Sequence, residues 1–153
     1  MTSYLRTALA GLAFAAAATA GAAAQAETVE VEMLSNADGQ VMVFKPAVVH
    51  VEPGDTVRFV ATDPGHNAQS MPEMTPEGGK SFEVPFNETK EVTFETEGVH
   101  GYICNPHHAM GMVGLTVVGD PSANLEQARQ AAKKAPGRAK QRFADYFAQV
   151  DAQ

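Results

Sequence analysis

Between Tyr102 and Val113 the chain crowds sulfur and imidazole donors into one short run: Cys104, His107, His108, Met110 and Met112. Cys104 is the only cysteine, so no disulfide can form within the chain. Its thiol is then a buried inert group, half of an intermolecular bridge, or a working thiolate. The neighbours favour the last reading. Thiolate and thioether suit Cu(I), while imidazole is accepted by Cu(II), so one such set can hold copper in both oxidation states. A Cys-x2-His-x4-Met run can aim its donors at one point only by folding back between two strands. Pro106 fixes a bend there and Gly111 permits one. The second imidazole must come from elsewhere. His66 is the best placed, in the polar turn Asp63-Pro64-Gly65-His66-Asn67 that follows a strand ending near Ala61. Asn67 beside it is positioned to tie this turn to the Cys104 loop, and an amide directed at the sulfur would tune a reduction potential. The expected set is two imidazoles and a thiolate in a plane with a long axial thioether, from Met112 or the competing Met110. Such a geometry belongs to electron-transfer copper, and with every position filled by protein it leaves no opening for substrate.

Other chemistries fit these residues less well. A nucleophilic enzyme would use Cys104 with His107 or His108 as base, but no third orienting residue or oxyanion motif accompanies them, and Met112 would have no role. A copper-trafficking module would need an open or Met-rich site. Zinc would bind the same donors without redox use. His50 and His100 lie on strand-like runs and read as structural or solvent-facing side chains.

The elements around these residues are short. Thr28 to Leu34 alternates, with Val29, Val31 and Met33 on one face, and Ser35-Asn36-Ala37-Asp38-Gly39 follows as a turn. Further strand-like runs are Val41–Phe44, Val48–Val51, Thr56–Ala61, Ser81–Phe86, Glu91–Glu95, His100–Ile103 and Val113–Val118. Seven or eight short strands punctuated by Pro, Gly, Asn and Asp predict an all-β antiparallel sandwich or barrel. After Gly119-Asp120-Pro121 the period becomes helical. Leu125, Ala128, Ala131 and Ala132 form one stripe, and Phe143, Tyr146, Phe147 and Val150 another. Pro136-Gly137 separates two helices within about residues 121–150. Asp120, or Asn124 with Gln127, is placed to cap the first. The aromatic stripe is expected to pack against the sandwich.

Composition bounds the role. Residues 1–26 carry one charge, Arg6, then an Ala-rich apolar stretch and Ala24-Gln25-Ala26, the layout of a cleaved secretory signal peptide. The remainder, 27–153, fits a single domain. The full chain has 11 basic and 18 acidic residues; removal of Arg6 leaves 10 basic ones and a net charge of −8, the wrong sign for general nucleic-acid binding. Lys45, Arg58, Lys80 and Lys90 are the only cations in 27–118, while the tail from Gly119 carries six. Asn87-Glu88-Thr89 matches a glycosylation acceptor, relevant only in a eukaryotic secretory pathway.

Taken together, these segments resemble the pseudoazurins, small blue-copper proteins of the cupredoxin superfamily. The resemblance runs through Glu27–Leu34, Met42-Val43-Phe44, Pro53-Gly54-Asp55-Thr56-Val57, Gly65-His66-Asn67, Pro76-Glu77-Gly78, Tyr102–Met112 and the Gly119-Asp120 segment leading into the helices. It implies a Greek-key β-sandwich with two C-terminal α-helices and one type 1 copper ion cycling between Cu(I) and Cu(II). His66, Cys104, His107 and Met112 would be the ligands, with Met112 preferred to Met110, which would pack over the site. Asn67, Pro106 and Met110 would support them, and one edge of His107 would be the electron port. It further implies a monomeric electron carrier of the bacterial periplasm rather than an enzyme. Such a carrier docks transiently with c-type cytochromes and with copper nitrite reductase or another terminal reductase. Two departures from the family pattern stand out. His108 stands where a Tyr or other bulky residue is usual, placing a second, pH-sensitive imidazole by the port. Asn36, Pro64 and Ile103 stand where docking lysines are expected.

Overall fold

The computed structural model describes residues 25–153. The expected signal peptide thus lies outside the described residues except for Gln25 and Ala26. Among the described residues nine strands form two sheets. Strand β1 (Thr28–Ala37) turns through Asp38-Gly39 into β2 (Gln40–Lys45). Both turn residues have positive φ, 51° and 77°, as a tight two-residue hairpin turn requires. This corrects the longer turn expected from Ser35: Ser35, Asn36 and Ala37 remain in the strand, with Ala37 paired to Gln40. Then follow β3 (Val48–Val51), β4 (Thr56–Val60), β5 (Ala68–Ser70), β6 (Glu83–Val84), β7 (Lys90–Thr93), β8 (Gly98–Ile103) and β9 (Val113–Val118). One sheet has the order β2-β1-β4-β7 and the other β3-β9-β8-β5-β6.

The sheets are mixed rather than purely antiparallel, because β1 pairs parallel to β4 and β3 parallel to β9. In both pairs the chain leaves one sheet, crosses the core and returns, which local alternation does not report. The strand β5 was not expected: its three residues, Ala68-Gln69-Ser70, are too few and too polar to display a period. The run Ser81–Phe86 contracts to the two-residue β6.

Alternation in β1 sends Val31 and Met33 inward, where they meet Phe44, Val57, Phe59 and Tyr102 between the sheets. Phe44 and Phe59 stand edge-on to the Tyr102 ring at centroid distances of 4.9 and 5.1 Å. Each such buried side chain contributes roughly 1.5–3 kcal/mol by leaving water. Strand β9 is buried at every residue because it is covered on both faces, which explains its unbroken apolar run. Its outer face receives the helices α1 (Leu125–Ala132) and α2 (Arg138–Asp151), with Phe143, Tyr146, Phe147 and Val150 packing on Val99, Leu115 and Val117. Asp120 caps a single 3-10 turn at Pro121–Ala123 by accepting from the Ser122 N–H at 2.8 Å. Asn124 does not cap α1 with its side chain; instead it accepts from Val99 N–H and donates to Val99 C=O, riveting the helix to β8.

Candidate metal centre

Three separate segments meet at one end of the sandwich: the end of β1, the β4–β5 loop and the β8–β9 loop. The β8–β9 loop is largely closed by its own backbone. His107 N–H donates to Cys104 C=O (3.1 Å), Met112 N–H to His107 C=O (3.1 Å), and Cys104 N–H to Met112 C=O (2.9 Å). Gly111 makes the return possible with φ of +96°. Pro106 lies within the 3-10 turn Asn105–His107.

Cys104 Sγ lies 3.4 Å from His107 Nδ1 and 3.9 Å from His66 Nδ1, and the two imidazole nitrogens are 3.1 Å apart. A point equidistant from all three is about 2.0 Å from each, within the range of metal–nitrogen and near that of metal–sulfur bonds. Two imidazole nitrogens and a sulfur turned toward one another in this way make a donor set that fits one soft cation. Met112 is fully buried in the same core cluster as Cys104, whereas Met110 is 40% exposed. Burial therefore separates the two candidate thioethers.

Each donor is oriented by a neighbour. The second nitrogen of His66, Nε2, faces Ser35 Oγ at 3.0 Å, a hydroxyl able to accept the ring proton at Nε2 when Nδ1 takes a metal. Asn87 holds the His66 turn twice, its side-chain oxygen accepting from Gly65 N–H (2.6 Å) and its N–H donating to His66 C=O (3.1 Å). Asn67, fully buried, accepts from Asn105 N–H at 2.8 Å and so ties the β4–β5 loop to the β8–β9 loop. Burial pushes the Cys104 thiol above its ordinary pKa, while hydrogen bonds from the backbone N–H groups of Asn67 and His107 pull the other way. A soft cation would displace that proton outright. Burial, aided by the neighbouring His107, lowers the pKa of His66, which keeps its ring neutral and able to bind a metal.

Of the residues singled out in the sequence, His66, Cys104, His107 and Met112 are thus drawn to this end, with His107 the one among them that is partly exposed. His108 faces away, into a groove with Met71, Glu73, Gln127 and Lys134, and burial holds its pKa below the ordinary value. Its ring is accordingly neutral near pH 7. His100 is buried and bonded to Thr96 C=O at 2.8 Å, and His50 is exposed on β3. Sequence reasoning did not single out Ser35 or Asn87 as supports. Ser35 was detectable as the next inward position after Met33, and Asn87 was seen only as a modification motif.

Comparison with known proteins agrees with this chemistry. Residues 31–119 match the copper-binding proteins of the plastocyanin/azurin family. The chain is 45% identical over 142 residues to the pseudoazurin of Paracoccus pantotrophus, covering 92% of this chain and 97% of that one. It superposes on the crystal structure of the Methylobacterium extorquens AM1 pseudoazurin with a TM-score of 0.76 and 40% identity, covering 80% of this chain and 98% of that chain. The Hyphomicrobium denitrificans pseudoazurin gives 0.75 and 43%, with 80% and 97% covered. The fold is that of the cupredoxins, and the cofactor of the family is copper. The chain belongs to the pseudoazurin family, whose members are copper-containing electron carriers and not enzymes.

Proposed function

We propose that His66, Cys104 and His107 hold one type 1 copper ion, with Met112 as the axial thioether, and that electrons enter and leave through the exposed edge of His107. Bound copper supplies a one-electron couple, Cu(II)/Cu(I). The observation that carries the reading is the convergence of two Nδ1 atoms and the Cys104 sulfur within 3.9 Å of one another, at a place where only His107 reaches the surface. His66, Cys104 and Met112 exclude water from the donors, and the hydrogen bonds from Ser35, Asn67 and Asn87 hold the loops in one arrangement. A set of ligands that does not move between oxidation states exchanges electrons with little rearrangement. Pro106 stiffens the turn carrying His107, and Met110 covers the site from the solvent side.

The protein works after export, with the mature chain beginning near Glu27 in the periplasm. It docks transiently, as a monomer, with c-type cytochromes as donors and with copper nitrite reductase or another terminal reductase as acceptor. The surface near the port supports weak, mainly apolar docking: Met110 and Phe86 are exposed (40% and 48%), and Asn36, Pro64 and Ile103 supply no charge. Stopped-flow electron transfer from the copper-loaded protein to purified periplasmic reductases, across ionic strength, tests this. A rate nearly independent of salt is expected. A steep fall with salt would mean a strongly charged docking face, and no transfer to any reductase would remove that class of partner.

A further inference from the structure

Helix α2 does more than cover the sheet, because Arg142 on its inner side reaches the metal-binding loop. Its Nη1 donates to Gly111 C=O at 2.7 Å and to Met42 C=O at 2.6 Å, and its Nη2 donates to Val41 C=O at 2.8 Å. One guanidinium therefore joins three parts of the chain: α2, the β2 backbone, and the residue immediately before Met112. Gly111 is shaped to this contact. A Cβ there would lie 2.8 Å from Arg142 Cδ and 2.9 Å from Nε, so the missing side chain is the space the arginine stem occupies. Met42 contributes by adopting φ of +53°, an uncommon conformation for a side chain of its size. Among the described residues no carboxylate pairs with Arg142, and residues 1–24 contain none. The hydrogen-bond acceptors around its guanidinium are backbone carbonyls.

We propose that Arg142 is a positioning residue of the metal centre: it locks the Gly111 carbonyl to β2, thereby fixing where Met112 is presented, and its unpaired charge favours the reduced metal. The inference rests on the assignment of Met112 as axial ligand. A lysine could not replace it, since a single ammonium on a flexible stem lacks the planar fork that spans Gly111 and β2 together. The sign of the electrostatic effect follows from charge. A nearby cation opposes Cu(II) more than Cu(I), so removing it lowers the reduction potential.

The test compares wild-type protein with Arg142→Met, Arg142→Lys and Arg129→Met by copper titration, visible and EPR spectra, and potential. Arg129 serves as the control, because it stacks on Phe147 and pairs with Asp151 in the helix pair without touching the loop. For Arg142→Met a roughly tenfold loss of copper affinity is expected, the low end for groups that orient metal ligands, with altered band ratios and a lower potential. Arg142→Lys should recover the potential but not the spectrum, and Arg129→Met should change neither. A wild-type spectrum and affinity in Arg142→Met would overturn the proposal, whatever its stability. Should that variant fail to fold, an unaltered spectrum in Arg142→Lys would overturn it instead. No thiolate–copper band even in the wild type would overturn the ligand assignment itself, and the proposal with it.

Discussion

Replacing Ser35 by alanine removes one oxygen and isolates one nitrogen. His66 is buried, and its Nε2 has Ser35 Oγ as its partner at 3.0 Å. In Ser35→Ala the buried Nε2 loses that hydrogen-bond partner, a cost of about 1–3 kcal/mol. That cost falls on the metal-free protein as a loss of stability. A further loss falls on binding, because a metal at Nδ1 makes the Nε2–H more acidic and its hydrogen bond more valuable. Partners of this kind contribute about 10- to 100-fold to metal affinity. Denaturant unfolding of the metal-free variant measures the first term, and competition against a chelator of known affinity measures the second. Ser35→Thr, which keeps the hydroxyl and suits a strand, should behave as wild type in both. Unchanged copper affinity in Ser35→Ala, with stability lowered, would refute the claim that this hydrogen bond aims Nδ1 at the metal.

Three further outcomes are expected. Copper(II) affinity should rise about tenfold per pH unit between about pH 7.5 and 8.5, since binding must expel the proton of the raised Cys104 thiol while His66 is already neutral; a flat profile by competition titration would show the thiol already ionised. Asp55 accepts from the N–H groups of Glu27 (2.7 Å) and Glu52 (2.8 Å), which hold its carboxyl below the usual carboxylate range. A depressed folded pKa gives stability that is present above the unfolded value near 3.8 and lost as pH falls through the folded one. Asp55→Asn should therefore be less stable at pH 7, with the gap to wild type narrowing below about pH 4 in denaturant titrations. Finally, Met112→Gln should keep copper but lower the reduction potential measured by voltammetry, whereas Met110→Gln at its exposed position should leave it unchanged. Equal shifts in both would remove the distinction between the two thioethers.

Much of the candidate metal centre could be read from local spacing because its densest part is local: Cys104, His107 and Met112 share one loop, and Pro106 and Gly111 mark its bends. His66 was reachable because it lies in a polar Pro-Gly turn directly after a strand, where a side chain is easily aimed. The orienting groups were not. Ser35 is 31 residues from His66 in the chain, Asn67 is 38 from Asn105, and Arg142 is 100 from Met42, and no periodicity encodes such pairings. The same holds for the fold. Alternation and Pro/Gly punctuation reveal β1, β4, β8 and β9, but the parallel pairs β1·β4 and β3·β9 arise from connections across the core, and β5 is defined by its pairing with β8 on one side and β6 on the other. The choice between Met110 and Met112, left open by residue type alone, becomes a matter of burial once the loop closes on itself.

The central claim is that Cys104 ligates copper as a thiolate in company with two imidazoles. Titration of the purified metal-free protein with Cu(II), followed by visible absorption in wild type and in Cys104→Ser, tests it most directly. The account predicts saturation at one equivalent with an intense band that a reductant bleaches, and no such band in Cys104→Ser, whose far-UV circular dichroism stays that of the wild type. A band that survives the loss of Cys104, or none in the wild type, would contradict it.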